Sequence, residues 1–174
     1  LKQGGSYYVT RNDSSLIAFT IPEHPFQGMR IMASHSDSPS FKIKENPEME
    51  SEGHYIRLNV ERYGGMLFAP WFDRPLSVAG RVIVKDPSTD GKPSACFLSK
   101  LVNIDRDLLM IPNLAIHMDR DANNGHKYNA QKDMLPLYGD LTAKNTFFQT
   151  IAEAANVTED EILGHDLFLY NRQE

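Results

Sequence analysis

The sequence predicts an α/β fold in which strands outnumber helices, and three observations carry that prediction. Tyr55–Arg62 (YIRLNVER) alternates with period two, placing Ile56, Leu58 and Val60 on one side and Tyr55, Arg57, Asn59 and Glu61 on the other. Val78–Lys85 (VAGRVIVK) and the stretch from Ala95 to Asn103 flank DPSTDGKPS, a turn rich in Asp, Pro and Gly, as the arms of a hairpin do. Against these, one segment alone reads convincingly as a helix: Phe147, Phe148, Ile151, Ala152 and Ala155 recur at helical spacing.

The remaining elements follow in chain order. SYYVTR and SSLIAFTI, on either side of Asn12-Asp13-Ser14-Ser15, read as a first hairpin. Met29, Ile31, Met32 and Ala33 form an apolar run that predicts a buried strand; Phe41 and Ile43 alternate with Lys42 and Lys44 in a second. Residues 45–54 are polar and acidic, which predicts an exposed loop, with Glu48, Glu50 and Glu52 solvated. Cys96, the one cysteine, predicts a small buried strand residue. Asp73-Arg74-Pro75 predicts a turn anchor. The run from Ile111 to Met118 predicts a further apolar strand that His117 closes. Residues 119–136, Asn- and Gly-rich, predict a long loop of the kind that carries function. Asp140 or Thr142 is expected to cap the helix, and Thr158-Glu159-Asp160-Glu161 has the capping-box pattern of a second short one. Asp166–Tyr170 (DLFLY) predicts a last strand.

Composition narrows the function. The 174 residues suffice for one ordinary domain or two small ones, and 41% hydrophobic with 24% charged residues is ordinary globular material. No apolar run reaches the ~20 residues of a bilayer span, so no membrane role is expected. A net charge of −5 with scattered basic residues argues against nucleic acid as a partner. A single cysteine excludes an intrachain disulfide framework and fits a reducing cytoplasm. The first residues, LKQGGSYYVT, lack both a signal peptide and an initiator Met, so they read as a start inside a longer chain.

Chemistry concentrates in Met29–Lys44 (MRIMASHSDSPSFKIK), where polar side chains crowd the end of the expected strand. His35 and Asp37, two residues apart, leave an extended backbone on the same face. That pair suits a metal-bound imidazole with a nearby carboxylate, the acid bridging toward a neighbouring ligand or orienting water. Ser-Asp-Ser-Pro is equally an ordinary turn, and one visible ligand falls short of a metal site.

Three long stretches resemble the aspartyl aminopeptidase family of cytoplasmic metallopeptidases: ASHSDSPSFKIK, VERYGGMLFAPWFDRPLSVAGRVIVK and IDRDLLMIPNLAIHMDRDANNGHKYNAQKDMLPL. They cover most of residues 28–138. The resemblance implies an α/β chain, the opening strands of a zinc-peptidase α/β core (residues 1–62) followed by a β-rich dimerisation domain (63–174). It implies that His35 is a metal ligand, that Asp37 orients the site, and that His117, in I-P-x-L-A-I-H, reaches across a dimer into the partner's active site. It further implies two Zn2+ per active site, with Mn2+ or Co2+ as alternatives, a peptide substrate with an N-terminal Asp or Glu, and assembly into a dimer and a larger homo-oligomer. The family's other metal ligands and its general base lie beyond the interrupting domain, so these 174 residues alone are not expected to hold a catalytic metal tightly or to turn substrate over. The competing reading is a non-catalytic assembly module that associates through strand edges and aromatic surface.

Overall fold

Apolar alternation builds most of what the computed structural model shows; it describes residues 1–12, 14–86 and 97–173. The chain divides into two compact units, Leu1–Asp37 and Ser38–Glu174. The sheet of the second unit takes strands from both sides of residue 62.

In the first unit, β1 (Ser6–Arg11) and β2 (Ser15–Thr20) form the expected antiparallel hairpin, in register from Ser6↔Thr20 to Arg11↔Ser15. Tyr7 and Phe19 face each other across it with ring centroids 5.6 Å apart. The strand expected over Met29–Ala33 does not form. Met29, Ile31 and Met32 are 71%, 83% and 97% exposed, in backbone without regular structure. A continuous apolar run makes a strand only where flanking strands take up its N–H and C=O groups and cover both faces. Among the described residues β1 and β2 pair with each other alone, and nothing flanks 29–33.

The second unit is a six-stranded sheet, antiparallel at every pairing. Its strands are β3 (Ser40–Ser51), β4 (Tyr55–Tyr63), β5 (Leu76–Lys85), β6 (Phe97–Asn103), β7 (Leu137–Asp140) and β8 (Ile162–Asn171), in the spatial order β6-β5-β8-β3-β4-β7. Inward-facing Phe41, Ile43, Leu58, Val60, Val78, Val82, Leu167 and Leu169 form the core with Phe147 and Ile151 of the helix α1 (Phe147–Ala155). Each such side chain contributes about 1.5–3 kcal/mol on leaving water. The turn 87–94, with Ala95 and Cys96, lies outside the described residues; β5 and β6 pair on either side of it, from Lys85↔Phe97 to Ala79↔Asn103.

Several elements depart from the sequence reading. Residues 45–51, expected as a loop, continue β3. The register against β4 jumps from Ile43↔Val60 to Glu48↔Leu58, so a bulge absorbs the extra residues and the strand resumes. Pro47 sits in that bulge, where its missing N–H forfeits no ladder bond. The polar composition was misleading because this strand is largely solvated, and only Pro47 in the 45–51 stretch is buried. Ile111 is buried and bridges to Phe72, but residues 112–118 are exposed and form no strand. Asp140 caps a short 3-10 turn, Leu141–Ala143, rather than α1. The donors at the start of α1 go instead to Glu48 of β3, whose carboxylate accepts from the backbone N–H of Phe147 at 2.8 Å and from that of Asn145. The α1 C-terminus closes on Asn156 in the left-handed conformation. Glu161 accepts from the Thr158 N–H (2.8 Å), the carboxylate half of a capping box, and also from the Thr158 hydroxyl (3.0 Å), but the turn it closes is a single 3-10 turn leading directly into β8. That last strand is longer than Asp166–Tyr170 and lies inside the sheet, between β5 and β3.

No helix among the described residues is long and apolar enough to cross a membrane.

Candidate functional site

His35 and Asp37 lie in the irregular end of the first unit, both exposed. The backbone between them brings the two side chains together. The Nδ1 of His35 stands 2.9 Å from Oδ1 of Asp37 and 3.0 Å from its backbone carbonyl oxygen. Both partners are acceptors, so Nδ1 carries the proton and donates, which leaves the Nε2 lone pair directed away from Asp37. Asp37 thus engages the same histidine's other nitrogen, the usual pairing behind a metal-bound imidazole. The Asp37 side chain and carbonyl hold His35 above its ordinary pKa, because each stabilises the protonated ring.

The donor set fits one corner of a zinc site: a neutral imidazole with a fixed tautomer and a free lone pair. It does not make the whole of one, since among the described residues no three His, Cys, Asp or Glu side chains stand close enough together to hold a metal.

His117 belongs to the second unit, in the exposed turn that follows Ile111. Its neighbours are apolar and solvent-facing: Leu114, Ile116 and Met118 are 55%, 48% and 77% exposed. The base of this loop is fixed. Asp73, with φ of 56°, donates its backbone N–H to the Ile111 carbonyl (2.9 Å), and its Oδ1 accepts from the Asn113 N–H (3.0 Å). Arg74 bonds Gln173. Asp73-Arg74 is therefore structural, as expected, though it braces a loop 40 residues away rather than its own turn.

The loop 119–136 lies beside it and lines part of a half-open cavity of about 980 Å³ in the second unit. His126 is held between two carboxylates: its Nδ1 is 3.0 Å from Asp119 Oδ2, and its Nε2 is 3.9 Å from Asp133 Oδ2. The Tyr128 ring packs on His126 at 4.8 Å and on Phe72 at 5.1 Å. Arg57 of β4, half-buried, donates from Nε and Nη2 to the Leu135 carbonyl and from Nη2 to the Lys132 carbonyl, at 2.9–3.1 Å. Desolvation lowers its pKa, and the nearby Asp133 opposes that shift.

Of the sequence-predicted residues, then, the structure brings His35 and Asp37 into contact and places His117 in the other unit, on an exposed apolar loop. The cavity residues Arg57, His126 and Lys132 were not singled out in the sequence. The only signals there were the length and polarity of loop 119–136 and a lone Arg on the polar face of β4.

A family model for the aminopeptidase I zinc metalloproteases (M18) matches residues 1–174. A protein of Clostridium acetobutylicum named "Probable M18 family aminopeptidase 2" is 48% identical over 176 residues, covering 98% of this chain and 40% of that relative. Among solved structures, mApe1 of Chaetomium thermophilum superposes with a TM-score of 0.85 at 34% identity, covering 99% of this chain and 41% of that one. A chain in the complex of Ape4 and Nbr1 gives 0.86 at 33% identity, covering 99% of this chain and 36% of that one. The chain thus spans about two fifths of the length of the relatives it matches.

Proposed function

Because the chain belongs to the M18 family of aminopeptidase I zinc metalloproteases, we propose that it forms the N-terminal portion of a cytoplasmic aminopeptidase that removes N-terminal residues, preferentially Asp and Glu, from peptides. The observation that carries the reading is the His35–Asp37 pair, an imidazole whose tautomer a carboxylate has already set. We assign His35 Nε2 as a ligand to one of two zinc ions, with Mn2+ or Co2+ as alternatives. The remaining ligands and the general base come from the portion that the relatives carry beyond this length. When bound, the metal supplies Lewis acidity toward the scissile carbonyl and lowers the pKa of water.

The other steps belong to this chain's own residues. Asp37 keeps the His35 proton on Nδ1 and so holds the ring in one orientation. His117, exposed on its braced loop, enters the active site of a second copy and donates a hydrogen bond to the substrate oxyanion as the tetrahedral intermediate forms. A dimer is therefore integral to the catalytic unit, and a larger homo-oligomer joins such dimers through a second interface; mApe1 of S. cerevisiae is described as a dodecamer. On this reading the described portion alone is inactive.

In the full-length enzyme, His117→Ala is expected to lower kcat by about 100-fold, in the range for loss of one oxyanion donor, while the bound metal measured on the same sample stays at the wild-type level. Unchanged turnover would end the role given to His117. The second reading, a purely non-catalytic assembly module, would be favoured by a full-length protein that assembles yet binds no metal.

A further inference from the structure

The cavity beside the His117 loop has a volume of about 980 Å³, at the upper end of what small-molecule sites enclose and ample for one or two amino-acid residues. Ile116 and Asp119, which bracket His117 and Met118 in the chain, both line it. His117 and Met118 do not themselves line it, so the cavity adjoins the loop that carries His117. The lining is bipolar, with an aromatic floor where Phe72 and Tyr128 meet at 5.1 Å with their rings tilted by 34°, and Leu114 and Ile116 among its apolar groups.

Most of its charged groups are already engaged. Asp119 and Asp133 contact His126, and Asp133 also accepts from the Asn129 N–H at 2.6 Å. Arg57 commits Nε and Nη2 to backbone carbonyls. Lys132 differs: its backbone carbonyl anchors Arg57, but its exposed ammonium makes no ion pair among the described residues. Arg57 and Lys132 offset Asp119 and Asp133, so the lining is formally neutral with His126 uncharged, and the Lys132 ammonium is the cation it leaves without a carboxylate for a peptide-like ligand to bring. Such a lining does not suit a polyanion.

We infer that this cavity is the subsite for the segment of the peptide that follows the scissile bond, with Lys132 pairing a carboxylate of that segment. The inference rests on the proposed reading, since it needs His117 to stand at a partner's scissile carbonyl. The carboxylate has two possible sources: the C-terminus of a short peptide, or an acidic side chain just after the cleaved bond.

Three substrates distinguish these in the full-length, metal-loaded enzyme: Asp-Ala with a free C-terminus, Asp-Ala amide, and Asp-Glu amide. The readout is the ratio of kcat/KM for each carboxylate-bearing substrate to that for Asp-Ala amide. Lys132→Ala is expected to lower that ratio about two- to fivefold, the range of a solvent-screened ion pair, mainly through KM, and Lys132→Glu to lower it further. A fall confined to Asp-Ala identifies the C-terminus as the source, and one confined to Asp-Glu amide identifies the side chain. Ratios that do not move in either variant overturn the subsite. The p-nitroanilide of Asp separates this from failure of the underlying reading. If wild type leaves it uncleaved, or His117→Ala cleaves it normally, the role of His117 fails and the subsite falls with it. If cleavage depends on His117 and the ratios are flat, the subsite alone is wrong.

Discussion

Glu48 is the residue whose role the fold explains and its sequence context conceals. Its carboxylate accepts from the N–H of Phe147 at 2.8 Å, a donor that the start of α1 leaves without a helical partner, and from that of Asn145 just before the helix. Thr146, which precedes the helix, makes no side-chain cap of its own. Glu48→Ala therefore strips the helix of its acceptor and of a negative charge at the positive end of its dipole. Loss of a capping acceptor costs about 1 kcal/mol and loss of the charge about 0.5 kcal/mol, together about 1.5 kcal/mol. Hydrogen exchange of the α1 amides in the intact protein reads this locally, and such a loss speeds exchange about tenfold. Glu48→Gln keeps an acceptor oxygen and is expected to lose only the smaller, charge-dependent contribution. Glu50→Ala is the control. Glu50 pairs with Lys144 at 3.0 Å, but both side chains are about half exposed (48% and 54%), which limits the pair to about 0.5 kcal/mol and exchange to about twofold. Equal effects of Glu48→Ala and Glu50→Ala, or no acceleration in either, would refute the capping argument.

Two further predictions concern the sheet. At Gly80 of β5, φ is +155° and an added Cβ would stand 2.0 Å from the Asp166 carbonyl oxygen of β8. Gly80→Ala must therefore force the paired strands β5 and β8 apart, at a cost of at least about 4 kcal/mol; soluble full-length protein with a wild-type melting temperature would contradict it. His165 of β8 has a side chain only 3% exposed, rings against Phe148 at 5.5 Å, and has neither nitrogen hydrogen-bonded among the described residues. Burial lowers its pKa below the ordinary 6.5; Asp166 and Glu45, whose Oε2 is 4.0 Å from Nε2, pull the other way, and Lys42 adds to the lowering. Below 6.5 the unfolded chain therefore binds a proton that the folded one resists, and stability falls as pH drops through that range. His165→Phe is expected to shrink the loss of melting temperature between about pH 7.5 and about pH 5.5, where histidine titrates; an unchanged loss would show that His165 does not carry it.

What the sequence revealed followed from periodicity. β4, β5 and α1 were legible because each shows one apolar face over nine or ten residues. The His35–Asp37 pair was legible because a two-residue spacing brings side chains together locally, although which nitrogen Asp37 would hold was not. The second half of β3 was illegible because its polar residues serve partners about a hundred positions away: Glu48 at Phe147, Glu50 at Lys144. Met29–Ala33 misled in the opposite sense. An apolar run signals a buried strand but cannot supply the neighbours that bury it, and among the described residues none do. The cavity escaped because Arg57, Phe72, His126 and Lys132 come from separate stretches, and only the folding of β4 against loop 119–136 assembles them.

The role proposed for His117 accounts for the irregular loop that carries it. A residue that acts on another copy cannot be buried in its own, yet a freely moving one would lose its ordering entropy each time it docked. The structure meets both demands by bracing the loop only at its ends. On one side Asp73 fixes Ile111 and Asn113 through two backbone bonds. On the other, Asp119 is tied to His126, and His126 to Tyr128 and the aromatic floor. Between these anchors Leu114, Ile116 and Met118 face solvent, an exposed apolar area of the kind that a protein contact covers. Asn113, Asp119, His126 and Tyr128 of these anchors also line the cavity, so a ligand entering it would meet a preformed surface rather than one that has to be ordered on binding.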